Sequence, residues 1–230
     1  MSDEELAIVE SDKLFDDNEI DKLYDLLMKF CESNNPEIVW RLARAARNKA
    51  EKSVNEEDKK TLTYKGYEFA KKAVELDDKN FACHKWLGIM LSNVGDFEAT
   101  KVKIQNAYKI KEHFEKSIEL SPNDPTCRYL LGVWCFTVAN MPWYQRKVAA
   151  ALFATPPSSS FEEALDHFEK AEALEPNFFS KNHLMLGKTY YSLKKYEEAK
   201  VWLLKATNHP EITTDDIEAN KQAEELLKYL

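Results

Sequence analysis

The 230-residue chain predicts an all-α fold of stacked antiparallel helix pairs, on three observations. Helix formers dominate, Gly (5) and Pro (8) are scarce, and no segment alternates polar and apolar residues with period two for long. A small residue recurs within a helical pattern at Ala43, Gly88, Gly132 and Gly187. The stretch His183 to Ala206, HLMLGKTYYSLKKYEEAKVWLLKA, shows why. Gly187, Ala199 and Ala206 stand where two antiparallel helices approach closely, Leu186, Tyr190, Tyr196 and Leu203 fill the space around them, and Pro210 marks where the second helix can no longer continue. One such pair cannot bury its apolar face alone, so neighbours are required.

The order Leu-Gly-x-x-Tyr, then Ala-x-x-x-Leu-x-x-Ala, then Pro is that of a tetratricopeptide repeat. The expected architecture is a right-handed superhelix of about four tetratricopeptide-like helix pairs over residues 36–210, with a capping helix at 15–33 and another at 214–230, all one domain behind a flexible acidic leader, residues 1–14. The first cap carries Ile20, Leu23, Tyr24, Leu27 and Phe30 at spacings of three and four and ends near Ser33-Asn34-Asn35-Pro36. The first pair opens at Pro36 with Ala43 as landmark, and its partner, about Lys59 to Leu76, offers Gly66, Ala70 and Ala73 for close approach. The second pair carries Trp86-Leu87-Gly88 and closes in HFEKSIELSPNDP. The third opens with Arg128-Tyr129-Leu130-Leu131-Gly132 and is partnered by FEEALDHFEKAEALEPN. The last helix presents Ile217, Ala223, Leu226, Leu227 and Leu230 among charges, the composition of a solvating end cap.

The landmarks lie 45, 44 and 55 residues apart, against a unit length of about 34. The extra length falls at Lys52–Lys60, Thr100–Lys109 and Ala139–Ser160. The first two lack Gly and Pro, which predicts longer helices rather than loops. In the third, Pro142 opens the insert, Trp143–Phe153 reads as a short helix, and Pro156-Pro157 closes it. A periodic array has no need of this element.

Net charge is −8, and residues 1–35 alone hold 11 acids against 3 lysines, leaving 29 acids and 29 bases in the rest. Cys31, Cys83, Cys127 and Cys135 form no CxxC pair and sit in helical patterns, as small core residues of a reduced compartment do. The N-terminus has neither the basic nor the apolar region of a secretory signal, and no apolar run reaches the ~20 residues needed to cross a bilayer. The expectation is a soluble, intracellular protein.

The insert's LFATPP (Leu152–Pro157), followed by EEALDHFEKAE and NHLMLGK, with WRLARAAR (Trp40–Arg47) and HKWLGIMLSNVGDFEATK (His84–Lys101) upstream, resembles the regulator of microtubule dynamics family over about residues 36–210. The resemblance implies a non-enzymatic helical-repeat protein. Its members associate with microtubules and spindle poles in chromosome segregation, and some longer ones with organelle membranes and phospholipid. It implies tubulin and other spindle proteins as partners, a cytoplasmic and cytoskeletal location, and a short member without the longer members' membrane span.

Two surfaces are candidates for docking. The first helices of the pairs should line a concave groove. Its inward positions are Trp40, Arg44 and Arg47 in the first unit, and Lys85, Ile89 and Ser92 or Asn93 in the second. The third gives Tyr129, Val133 and Phe136, and the fourth Leu184, Lys188 and Tyr191 or Ser192. Arginine's planar fork suits carboxylate or phosphate, so the groove is expected to take a peptide segment or lipid with an anionic head and an apolar body, unless its aromatics serve packing alone. The second surface is electrostatic: residues 99–147 hold eight bases against four acids. Lys101, Lys103, Lys109, Lys111, Arg146 and Lys147 make a basic face that an acidic polymer wall would attract, and the acidic leader is expected to fold across that face and compete. The insert helix, with Trp143, Val148, Ala151 and Leu152 on one side, reads either as a partner-binding or membrane-interface helix or as an extension of the core.

Catalytic patterns are absent. The five histidines make no HExxH, the five glycines no phosphate loop, and no serine stands in a GxSxG elbow. No cofactor or metal is implied. A net acidic chain with no recognisable reading module gives no reason to expect nucleic acid.

Overall fold

The computed structural model describes residues 2–152 and 157–230, and among them the chain is twelve α-helices with no strand. In chain order these are α1 (Asp3–Asp16), α2 (Ile20–Met28), α3 (Pro36–Lys52), α4 (Glu56–Leu76), α5 (Phe81–Gly95), α6 (Thr100–Leu120), α7 (Pro125–Ala139), α8 (Trp143–Leu152), α9 (Phe161–Leu174), α10 (Ser180–Ser192), α11 (Tyr196–Thr207) and α12 (Thr214–Leu227). The chain divides into two compact units, Met1–Ser121 and Pro122–Leu230.

The paired helices are α3 with α4, α5 with α6, α7 with α9, and α10 with α11. Their starts follow local chemistry. Asn35, Asn55, Asn80, Asp124 and Ser160 each accept a backbone N–H of the first turn, and Pro36 and Pro125 occupy first-turn positions where a missing N–H is harmless. The small residues stand at the crossings. A Cβ added to Gly88 would run into the Phe114 ring, one on Gly132 would come within 2.7 Å of the Phe168 ring, and one on Gly187 within 2.6 Å of Leu203. Ala43 faces Gly66, where an added Cβ would lie 3.3 Å from the Ala43 carbonyl oxygen.

The first two insertions lengthen helices, as the absence of Gly and Pro predicts. Lys52 ends a 17-residue α3, Glu56 begins a 21-residue α4 after a three-residue turn, and Thr100–Lys109 lies wholly within the 21-residue α6. The third insertion contains α8; Phe153 to Pro156, most of the LFATPP link and half of the closing Pro-Pro, lie outside the described residues. On α8 only Ala149 is buried, while Trp143 is 70% and Tyr144 54% exposed. The helix therefore adds little to the core.

Both ends depart from expectation. Residues 3–14 of the leader expected to be flexible belong to α1, whose start is closed by a capping box between Ser2 and Glu5. The single cap expected at 15–33 is instead a hairpin, α1 and α2, turning at Asp17–Glu19 with Asn18 in the left-handed region (φ 56°). Ile20, Leu23 and Leu27 of α2 meet Ile38, Leu42 and Ala45 of α3, with Ala7 of α1 completing that cluster. At the other end α12 lays Ala219 and Ala223 on Leu184, Leu203 and Ala206, with Leu226 and Leu227 at the margin, whereas Ile217 is exposed. No helix among the described residues is long and apolar enough to cross a membrane.

Candidate functional site

Two groove positions of the first helix pair, Trp40 and Arg44, converge on one polar cluster, and α1 belongs to it. Helical spacing puts Glu37, Trp40, Arg41 and Arg44 on neighbouring turns of α3. Arg41 and Arg44 are only 8% exposed, so their charges require partners. Asp12 of α1 supplies them. It accepts from Arg41 Nε at 3.0 Å and Arg41 Nη2 at 2.6 Å, one to each carboxylate oxygen, and from Arg44 Nη2 at 2.7 Å. The other edge of Arg41 donates to Glu37 at 2.6 Å, and Glu37 also accepts from the Trp40 indole at 3.0 Å and from Asn80 at 2.5 Å. The guanidinium of Arg41 lies 4.1 Å from the Trp40 ring centroid, and that of Arg44 lies 4.1 Å from Phe15 and 5.1 Å from Trp40.

The electrostatics follow the geometry. Burial pushes the Asp12 carboxyl up, but the hydrogen bonds and charges of Arg41 and Arg44 outweigh it and hold it below the ordinary carboxylate value. Glu37 behaves alike: burial raises it, and hydrogen bonds from Arg41, Asn80 and Trp40 bring it below its usual value. Within this cluster Arg44 Nε is buried with no hydrogen-bond partner.

The remaining groove positions are spread out. Arg47 turns to Glu51 at 2.5 Å. Lys85 lies 4.9 Å over the Phe81 ring, and Ile89 is half-buried on α5. In the second compact unit Tyr129 packs on Phe179 and Phe168 at centroid distances of 5.1 and 5.9 Å, Phe136 on Phe161 at 5.3 Å, and Tyr191 on Tyr196 at 5.5 Å. Val133 is half-buried beside them in sequence. Lys188 donates to Gln222 of α12 at 2.5 Å, and its burial, opposed by Glu218, lowers its pKa.

The basic face is broken up. Lys103 pairs with Asp96 at 3.3 Å and Lys111 with Glu115 at 3.6 Å, while Lys101 and Lys109 are exposed. Arg146 closes the end of α7 by donating to Ala139 and Met141 carbonyls at 2.6 and 2.9 Å, and Lys147 lies 4.8 Å over Trp143. The acidic leader, as α1, packs on α2 and α3. Sequence reasoning missed Arg41, Glu37 and Asp12. The available signal was the Glu37, Arg41, Arg44 spacing, but the carboxylate that joins the arginines comes from 29 residues upstream.

A family model described as "Regulator of microtubule dynamics protein 1-3" matches residues 7–230. The chain is 51% identical over 224 residues to regulator of microtubule dynamics protein 1 of Pongo abelii, covering 97% of this chain and 71% of that protein. It is 34% identical over 228 residues to regulator of microtubule dynamics protein 3 of Mus musculus, covering 97% of this chain and 48% of that one. Among solved structures, a thermophilic TPR protein of Thermus thermophilus superposes with a TM-score of 0.66 at 15% identity, over 96% of this chain and 98% of the other, a likeness of fold alone. With the helix pairs, their small-residue crossings and a match running nearly end to end, the chain belongs to the regulator of microtubule dynamics family.

Proposed function

We propose that this protein is a non-enzymatic docking protein that associates with microtubules, acting at spindle microtubules and spindle poles in chromosome segregation. The observation that carries this reading is half-identity along 97% of the chain to a protein named for regulating microtubule dynamics. The helical-repeat fold is consistent with it, because stacked helix pairs present extended surfaces to other macromolecules. Exposed Lys101, Lys109 and Lys147 are the cations from which attraction to an acidic polymer would come.

Co-sedimentation of the full chain with polymerised tubulin tests the proposal. Bound fraction should fall as ionic strength rises from about 0.05 to about 0.2 M, since exposed charges are screened beyond a Debye length of about 7–14 Å in that range. The triple variant Lys101→Glu, Lys109→Glu, Lys147→Glu should lose about tenfold in affinity. Binding indifferent to both salt and charge reversal would remove the electrostatic reading, and no binding at all would remove direct contact with the polymer.

A further inference from the structure

We infer that the Arg41–Arg44–Trp40 clamp on α3 is a docking site for an acidic helical segment of a partner, and that α1 is its resident, exchangeable occupant. The inference stands on the clamp itself and does not depend on the microtubule reading.

Two nearly buried guanidiniums that converge on one carboxylate form a receptor for a carboxylate: three charge-assisted hydrogen bonds reach Asp12, two of them from the fork of Arg41. Beside it, Phe15 and Trp40 lie against Arg44, so the site also takes an aromatic ring. Asp12 and Phe15 are three residues apart on one helix, which puts both on one face. The occupant's chemistry is thereby written in α1: a helix presenting an acid and, one turn later, an aromatic. A second pair of contacts, from Ser33 and Asn35 to Glu4 at 2.6 and 3.1 Å, asks for another acid about two turns earlier.

Several features make α1 replaceable. It buries only Ala7 and Ser11 fully, with Ile8, Leu14 and Phe15 partly covered. It leaves Leu6 and Val9 exposed on its outer side. It is joined to α2 by three residues that reverse the chain at Asn18, in the left-handed region, so it is not continuous with α2. Part of the cluster keeps its partners without α1: Glu37, held by Trp40, Arg41 and Asn80, holds one edge of Arg41, and Arg44 keeps the Trp40 ring. Exchanging Asp12 for a partner's carboxylate swaps like for like, so the tethered helix prevails through its effective concentration, in the millimolar range for a short linker. The unpartnered Arg44 Nε is a donor that α1 leaves unused and that a deeper-seated acid would take up.

The probe is a fluorescein-labelled synthetic helix with the sequence of residues 2–19, titrated with the full chain and read by anisotropy. The wild-type chain should bind it weakly, and Asp12→Ala, which loosens the resident helix, should bind it at least tenfold more tightly. The double variant Asp12→Ala/Arg44→Gln should lose that gain, as should the Asp12→Ala chain offered a probe carrying the same Asp→Ala change. Thermal melts by circular dichroism, with hydrogen exchange over α3 to α5, show that these chains remain folded. Equal binding by wild type and Asp12→Ala, or a gain that survives loss of Arg44, would overturn the inference. So would a wild-type dimer in sedimentation velocity that dissociates on Asp12→Ala, since the occupant would then be a second copy of this chain.

Discussion

The two ends of the chain hold a helix against a groove cation one residue after a small landmark, Arg44 after Ala43 and Lys188 after Gly187, but the means differ. At the N-terminal end α1 grips α3 through a carboxylate between two buried arginines, with modest apolar cover. At the C-terminal end α12 rests on α10 and α11 through Ala219, Ala223, Leu226 and Leu227, with Ser180 donating to Asp216 at 2.5 Å, Lys188 to the Gln222 carbonyl, and one partly exposed ion pair, Lys181 with Asp215 at 2.6 Å. Apolar burial is non-directional and proportional to area, whereas a charged contact can be taken over by a competing charge. The first cap therefore leans more on buried charge and the second more on apolar cover.

Removing the carboxylate at the first cap should give the largest effect. Asp12→Ala leaves two guanidiniums inside the protein with fewer partners, which for a fully buried pair costs about 3–5 kcal/mol. The Asp12 side chain is 41% exposed, so solvent screening reduces the expected loss to about 2 kcal/mol. Hydrogen-exchange mass spectrometry should show α1 losing protection while α12 keeps it, and equal loss at both ends would erase the distinction between the caps. Acid should act in the same direction. Asp12 and Glu37 sit below their ordinary values in the folded state, so their stabilisation is full above about pH 5 and is lost as pH falls through those lowered values.

How much of this was legible in the sequence depends on which force did the work. The helix pairs were readable because close approach demands a small side chain, and Gly88, Gly132 and Gly187 meet Phe114, Phe168 and Leu203 where the spacing places them. The lengthening of α4 and α6 followed from the absence of helix breakers. The docking of α1 was not readable, because acids surround the helix and mask its narrow apolar side, and because its anchor is a single residue paired across 29 and 32 positions. Tyr129 and Phe136 illustrate a further limit: the same helical spacing serves a ligand floor or packing between helices, and here both rings meet neighbouring rings of their own unit. On α8 the pattern was read correctly as a helix, but a short apolar stripe does not reveal whether anything covers it, and Trp143 and Tyr144 stand in the open.

A smaller effect is expected at the second cap. Asp216→Ala removes the acceptor of Ser180 and breaks the box in which Thr213 and Asp216 close the start of α12. Loss of a cap and a buried hydroxyl's partner costs about 1–2 kcal/mol. Exchange should rise in α12 alone, with α11 held by its own pairing to α10. If α12 were to detach completely, its apolar contacts would count for less than argued above, and the caps would be alike after all.

The smallest effect, and the sharpest contrast, comes from the two matching cations. Lys188 has a single neutral acceptor, and burial already works against its charge. Lys188→Met keeps the length of the stem and removes the cost of covering an ammonium, while Gln222 retains its bond to Glu218 at 2.8 Å. Stability should stay within about 0.5 kcal/mol of wild type, with any change toward greater stability. Arg44→Met, at the corresponding place after Ala43, takes from Asp12 a partner 2.7 Å away and should cost more than about 1 kcal/mol. Urea midpoints for the two variants decide the matter directly: the groove cation is dispensable where a neutral amide faces it and needed where a carboxylate does, so an equal cost for both would mean that the charge on Asp12 does not hold α1 in place.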